Sequence, residues 1–291
     1  MKTSTTVQKV SGYLALIFSI LSVSVLSTWL ESSNIGALDD DPALHRGGLN
    51  WRNSIFNWHP ILMTSGFILS FVWAALSFRL FPFSHMVNKV IHSFFHCASV
   101  VCWSLGLFAV VQRDNHNQKQ YFGYYLEDLW SPHSWLGVSA MSWYGIVFLF
   151  GFFGFGLGFI PHELRPKYIP MHISLGIVTT VLVAAAVESG IAELVGLSKI
   201  CVEDYSLTAA DSNPAENYGK HSRGCHLANG TAILVLFTLI FTLFALVDVS
   251  PSIVKNSYSE QNGDTEFNSE VVDNANGEKY ESVVVTDSKE V

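Results

Sequence analysis

The sequence predicts an all-α membrane protein with six transmembrane helices, and three observations predict it. Hydrophobic residues make up 49% of the 291 residues and charged residues only 14%, whereas a soluble globular chain usually carries about 25% charged residues. Charges are absent from long stretches, each near the roughly 20 residues that cross a hydrocarbon core. Four histidines lie close to the starts of four consecutive stretches: His59, His92, His133 and His172.

The helices follow in order along the chain. Helices two to five contain stretches without Asp, Glu, Lys or Arg at residues 60–78, 90–112, 131–161 and 168–187. Similar apolar runs at about residues 10–30 and 230–247 predict helices one and six. The first run could be a cleaved signal peptide, but its apolar core is too long and no small-residue cleavage site follows. We therefore expect a retained first helix and one membrane domain, residues 1–250.

Residues 251–291 differ from the rest of the chain. They hold three lysines against nine acidic residues and are rich in Ser and Asn. Low hydrophobicity with high net charge predicts an acidic, disordered tail.

Cations in short loops predict the orientation. The loop after helix two carries Arg79 and Lys89, and the loop after helix four carries Arg165. The loops on the other side are mixed or acidic. We therefore predict that both termini, and with them the tail, are cytosolic.

The four histidines alternate between the two faces of the bilayer, because successive membrane helices run in opposite directions. His92 and His172 fall near the cytosolic face, and His59 and His133 near the other. A histidine inside a membrane helix is costly unless paired and by default marks function, although a structural hydrogen bond could explain any single one. Neutral imidazole is a good iron ligand, so the pattern predicts two haems, each held by two imidazoles and without thioether links.

Small residues recur on the faces that carry these histidines. Gly137 and Gly176 lie four residues after a predicted ligand, and Gly66 and Ser99 lie seven after one. Offsets of four and seven stay on one helix face. We expect them to leave room for a flat macrocycle, with close helix packing as the alternative.

The cysteines divide by location. Cys97 and Cys102 lie inside helix three, whereas Cys201 and Cys225 flank the loop between helices five and six. That loop is predicted to be non-cytosolic, where disulfides can form, so a Cys201–Cys225 bridge and two free thiols both stay open. Asn229 begins a glycosylation motif next to helix six.

The sequence resembles the cytochrome b561 family over about residues 10–250. Four motifs carry the resemblance: Phe56-Asn57-Trp58-His59-Pro60, Lys89-Val90-Ile91-His92, His133-Ser134-Trp135-Leu136-Gly137 and Pro170-Met171-His172. The resemblance implies that the central four helices form a bundle holding two b haems with bis-histidine ligation. It also implies a homodimeric ascorbate-dependent reductase that passes electrons from cytosolic ascorbate to a ferric chelate or monodehydroascorbate on the far side. The plasma membrane or an endosomal or secretory-vesicle membrane is the expected location.

The resemblance also implies a cationic ascorbate site at Lys89, Arg165 and Arg79. Cations attract and orient the ascorbate anion, although positive-inside topology alone could also explain them. His85 stands where related proteins often carry Lys, so one family contact is in doubt. His96, one turn after His92, is expected to pack beside the haem or to take a hydrogen bond.

Further residues are implied on the non-cytosolic side. His116 resembles a family histidine near the second haem and its acceptor. Contacts to the haems are implied for Trp130, Ser131 and Glu193, and for Arg79 on the cytosolic side. Trp130 occupies a position where the family commonly has Tyr.

Two other functions compete with this interpretation. One is a haem cytochrome subunit that uses a quinol or a protein partner. The other is a transporter with a histidine proton relay, which predicts charged or broken helices at mid-membrane. The transporter is the less favoured alternative, because the four central helices carry no charged residues over their apolar stretches.

Overall fold

The computed structural model describes residues 6–31, 48–52, 54–115, 120–121, 124–125, 129–198, 201, 223–247, 267–273 and 279–285. The chain divides into two compact units, Met1–Leu246 and Val247–Val291. The first unit contains the predicted membrane helices and the four histidines.

Six helices of the first unit are long and apolar enough to cross a membrane. They are α1 (Thr6–Glu31), α2 (Ile55–Leu80), α3 (His85–Asn115), α4 (Pro132–Gly156), α5 (Arg165–Ser198) and α6 (Arg223–Leu246). The prediction of an all-α membrane protein with six transmembrane helices is therefore confirmed for the predicted membrane-spanning segments.

Two helices contain a segment of π-helix. In α2 it spans Ser65–Ser70, between α-helical segments Ile55–Thr64 and Phe71–Leu80. In α4 it spans Phe150–Gly156 and follows the α-helical segment Pro132–Leu149. Such segments often occur at functional sites.

The start of α4 is fixed by local sequence. The Ser131 hydroxyl accepts a hydrogen bond from the Ser134 backbone N–H at 3.2 Å, and Pro132 occupies the first turn. A serine cap followed by proline is a favourable helix start. It places His133 in the first turn of α4.

The helices pack as two pairs beside a supporting pair. α2 packs along α3, and α4 packs along α5, whereas contacts between these two pairs are much sparser. α1 packs along α6, and both also contact α2 or α5. The largest buried cluster joins these helices through side chains that include Leu16, Phe71, Tyr144, Val183 and Val235. The sparse contact between the two central pairs leaves a gap, and the predicted ligands face each other across it.

Four short strands complete the described secondary structure. β1 (Gln120–Tyr121) and β2 (Tyr124–Tyr125) pair antiparallel in the connection between α3 and α4. In the second unit, β3 (Phe267–Asp273) pairs antiparallel with β4 (Lys279–Val285). The composition of this tail predicts disorder, but valines in both strands favour local pairing.

Candidate functional site

Two pairs of histidine rings face each other inside the first unit. The first pair joins His59 of α2 to His133 of α4, with ring centroids 6.2 Å apart and planes at 83°. The second pair joins His92 of α3 to His172 of α5, with centroids 6.3 Å apart and planes at 69°. The structure thus brings the four sequence-predicted ligands together in the predicted pairs.

The two pairs lie at different depths of the bundle. His92 contacts the backbone of Ala74, which follows His59 by 15 residues on α2. At about 1.5 Å of rise per residue, the two pairs are about 22 Å apart along the helix axis. Each pair therefore lies toward one end of the bundle.

Hydrogen bonds hold three of the four rings. Each donates from Nδ1 to a backbone carbonyl of the adjacent helix: His59 to Gly106 at 3.0 Å, His92 to Ala74 at 2.9 Å, and His133 to Ala186 at 2.8 Å. A ring that donates from Nδ1 presents Nε2 as its lone-pair nitrogen, and a hydrogen bond of this kind orients a metal-ligating histidine.

His172 is held differently. Its Nδ1 is buried and has no hydrogen-bond partner among the described residues. Aromatic packing holds the ring, with Phe155 at 5.4 Å and Phe150 at 6.2 Å between centroids. The second pair therefore has only one ring anchored by a hydrogen bond.

The separation of the rings fits one iron between each pair. A metal–imidazole bond of about 2.0 Å and a ring radius of about 1.2 Å place two opposed ring centres roughly 6.4 Å apart. No group of three or more metal-binding side chains occurs in the described part of the chain. Each pair therefore offers two ligands, which is the number that an iron already held by a porphyrin still needs.

The space beside the rings also fits a flat macrocycle. A Cβ added at Gly137 or Gly176 would meet no atom within 4 Å. These are the two glycines that follow His133 and His172 by one turn. The residues present therefore fit haem b at both pairs.

Gly66 and Ser99 do not leave such space. The Ser99 hydroxyl donates to the Gly66 carbonyl at 2.8 Å, and a Cβ at Gly66 would lie 3.0 Å from the Ser99 backbone oxygen. The expectation that these two residues make room for a macrocycle is therefore wrong. They pack α2 closely against α3.

Two other glycines face the ligand rings directly. A Cβ at Gly190 would lie 2.7 Å from Cε1 of His133, and one at Gly151 would lie 3.0 Å from Cε1 of His172. The sequence analysis missed both, because each glycine lies far along the chain from the ring that it contacts. Only the pairing of helices reveals these contacts.

Two of the three predicted cations contact the end of α4 and the connection that follows it. Lys89 Nζ donates to the Gly156 carbonyl at 3.4 Å, and Arg165 Nε donates to the Ile160 carbonyl at 3.1 Å. Both side chains therefore lie on the connection between α4 and α5. The third cation, Arg79, donates from Nη2 to the Leu246 carbonyl at the end of α6, 2.8 Å away.

The residues predicted near the first pair have different surroundings. Trp130 is 46% exposed, whereas Ser131 is buried and caps α4. Glu193 is partly buried and lies three residues after Gly190, on the side of α5 that faces His133. His116 lies outside the described residues. Cys201 and Cys225 are bonded to each other.

The sequence analysis also missed Glu188 on α5. Its Oε1 is buried, with no hydrogen-bond partner among the described residues. An ionisable group within a membrane helix is by default a functional candidate. The signal was available, because an acidic residue directly follows the uncharged stretch of helix five.

Comparisons with known proteins find a matching family model and several relatives. A family model for eukaryotic cytochrome b561 matches residues 58–196, which include all four histidines. A probable ascorbate-specific transmembrane electron transporter 2 of Oryza sativa subsp. japonica is 31% identical over 75% of this chain and 83% of its own length. Transmembrane ascorbate ferrireductase 1 of Arabidopsis thaliana is 29% identical over 71% of this chain and 77% of its own. The lysosomal membrane ascorbate-dependent ferrireductase CYB561A3 of Mus musculus is 32% identical over 67% and 78%.

Proposed function

The chain belongs to the eukaryotic cytochrome b561 family, and from that membership we propose that it is a transmembrane ascorbate-dependent reductase with two b haems. Electrons pass from ascorbate on the cytosolic side to an acceptor on the other side. The observation that carries this proposal is the pair of imidazole sites toward opposite ends of one bundle, each with the ring separation that one iron needs. The names of the rice, Arabidopsis and mouse relatives support ascorbate as the donor.

The four histidines are the residues that would hold the cofactors. When bound, the haems supply reversible one-electron chemistry, and the protein supplies position and access. The Nδ1 hydrogen bonds of His59, His92 and His133 fix the ring orientations and raise the basicity of the ligands. Gly137 and Gly176 keep the face beside the rings open.

Lys89 and Arg165 form the proposed ascorbate site. Lys89 lies one helical turn before His92, and its Nζ contacts Gly156 at the end of the π segment of α4. The same segment contains Gly151, which lies beside His172. Arg165 contacts the same connection four residues further on. The two cations thus lie at the end of α4 and on the connection after it, where they would bind the ascorbate anion by charge-assisted hydrogen bonds. Arg79, whose Nη2 donates to the Leu246 carbonyl at the end of α6, remains the third proposed cation of this site.

The acceptor site lies at the other end, beside the first pair. A ferric chelate is favoured over monodehydroascorbate because two of the relatives are named ferrireductases. The exposed Trp130, three residues before His133, offers a surface near this pair.

The proposal also includes cytosolic termini, a homodimer, and an endosomal, secretory-vesicle or plasma membrane, as the loop charges and the resemblance imply.

Proteoliposomes test this function. Ascorbate is trapped inside the vesicles, and a membrane-impermeant ferric chelate is added outside together with a colorimetric reagent for Fe(II). We expect Fe(II) to form outside only when ascorbate is inside and the protein is present. His59→Ala and His92→Ala should each abolish transfer, whereas His226→Ala, an exposed histidine at the start of α6, should not.

Two results would reject the proposal in different ways. Haems that stay oxidised with millimolar ascorbate but are reduced by dithionite would remove ascorbate as the donor and favour a quinol or protein partner. Haems that ascorbate reduces, without any Fe(II) outside, would remove the ferric acceptor.

A further inference from the structure

A histidine and a tyrosine form a hydrogen-bonded pair between the central helices. His96 Nδ1 lies 2.9 Å from the hydroxyl oxygen of Tyr144, and this hydroxyl donates to the backbone carbonyl of His96 at 3.3 Å. His96 is on α3 and Tyr144 is on α4, so the pair bridges the gap between the two central helix pairs.

The pair is enclosed by aromatic side chains of α2. Tyr144 is only 1% exposed. Phe67 packs edge-on against its ring at 5.4 Å, and Phe71 contacts both Tyr144 and His96 at 5.8 and 5.9 Å between centroids. A buried hydroxyl that is fully hydrogen-bonded in such surroundings specifies one arrangement of its neighbours. The pair therefore fixes the position of the His96 ring.

The His96 ring in turn contacts a ligand of the second pair. Its centroid lies 4.4 Å from that of His92, with the ring planes at 77°. A single hydrogen bond to Ala74 holds the Nδ1 of His92 but does not by itself prevent the ring from tilting about that bond. His96 packs edge-to-face against His92, and Phe78 contacts the same ring at 5.4 Å between centroids, so both restrict this tilt.

The ring orientations of the second pair depend on packing against His96, because fewer hydrogen bonds hold these rings than hold the rings of the first pair. Both rings of the first pair donate hydrogen bonds to backbone carbonyls. In the second pair the Nδ1 of His172 has no such partner in the described part of the chain. In this pair a hydrogen bond and packing against His96 hold His92, whereas aromatic packing holds His172.

We propose that His96 and Tyr144 are a positioning pair that sets the ring plane of His92, and through it the redox potential of the second site alone. The inference rests on the proposed function, since it requires a haem at that site. Neither residue is placed among the iron ligands or in the ascorbate site.

Tyr144→Phe tests this proposal, because it removes the hydroxyl and keeps the ring. The measurements are the potentiometric titration of both haems and the EPR spectrum, whose lowest-field g value depends on the angle between two axial imidazole planes. We expect both haems to remain bound, the second-site potential and g value to shift, and the first-site values to stay unchanged. His96→Phe should shift the same second-site values in the same direction, and the double variant should add nothing further.

Matched variants separate positioning from general packing. Thr238→Val removes another fully buried hydroxyl, on α6, which donates only to its own helix at Leu234, and should shift neither site. His96→Asn keeps a hydrogen-bonding group near the position of Nδ1 and should restore part of the shift that His96→Phe causes.

The outcomes also separate this proposal from the proposed function. A wild-type protein without haem would reject the proposed function. A wild type with two ascorbate-reducible haems, whose second-site values do not change in Tyr144→Phe, would overturn the positioning pair alone. Equal shifts at both sites, or loss of both haems from Tyr144→Phe and His96→Asn alike, would also overturn it in favour of a structural role.

Discussion

Adding one methyl group at Gly190 should weaken the first site selectively. The new Cβ would lie 2.7 Å from Cε1 and 2.8 Å from Nδ1 of His133. Non-bonded carbon atoms settle at about 3.5 Å or more, so the ring must move by about 0.8 Å. Such a displacement can take the bond from His133 to Ala186, now 2.8 Å, to about 3.6 Å, where an N–H···O hydrogen bond is lost.

The magnitude follows from the role of that hydrogen bond. Removing a hydrogen bond that orients a metal ligand typically costs roughly 10–100-fold in metal affinity. We therefore expect Gly190→Ala to lose most of the haem at the His59/His133 site. Gly151→Ala should have a smaller effect at the other site, because its Cβ lies 3.0 Å from His172 and that ring has no such hydrogen bond to lose.

Haem b per polypeptide, measured by the pyridine haemochrome assay, checks this prediction. The first-site haem is identified as the absorbance that His59→Ala removes. Gly145→Ala is the matched control, because a Cβ there meets nothing within 4 Å. The reasoning is refuted if Gly190→Ala keeps two haems with an unchanged spectrum, or if Gly145→Ala loses as much haem as Gly190→Ala.

Three further predictions concern cofactor space, donor binding and the disulfide. A Cβ at Gly137 meets no protein atom within 4 Å, so Gly137→Leu should leave the fold intact and still prevent haem binding at the first site, whereas the control Gly145→Leu should not. A normal haem content in Gly137→Leu would show that the cofactor does not occupy this space. Lys89→Gln and Arg165→Gln should each raise the KM for ascorbate about tenfold, because each removes one charge-assisted hydrogen bond, and dithionite should still reduce both haems. An unchanged KM would show that the substituted residue does not belong to the ascorbate site. Cys201→Ser removes a disulfide with a sequence separation of 24 and should lower the free energy of unfolding by about 3 kcal/mol, which is measured as a lower Tm. Reduction of the wild-type disulfide should lower Tm by the same amount. An unchanged Tm in both experiments would contradict the disulfide.

The sequence predicted the elements of this fold well, because the membrane imposes simple rules on it. Uncharged stretches of about 20 residues gave six helices, and alternating helix direction sorted the four histidines into two pairs. Helical spacing also identified Gly137 and Gly176 beside the rings, since an offset of four stays on one face. Each of these inferences used only residues close together in the chain.

The contacts between helices could not be predicted in the same way. Gly190 faces His133 from a different helix, and Tyr144 reaches His96 across the gap between helix pairs. Gly66 and Ser99 have the spacing of macrocycle-facing residues but meet each other. Arg79 contacts Leu246 of α6, 167 residues further along the chain. Such contacts depend on how the helices rotate and pack, and a single sequence does not encode those variables in its spacing.

The number of haems per polypeptide tests the central claim most directly. The purified protein should contain two haem b, His59→Ala or His133→Ala should leave one, and His92→Ala or His172→Ala should leave the other. The haem that remains in the His59 and His133 variants should differ in midpoint potential from the haem that remains in the His92 and His172 variants, because different helices hold the two haems. Fewer than one haem per wild-type polypeptide, or loss of the same haem from both sets of variants, would contradict two separate bis-histidine sites.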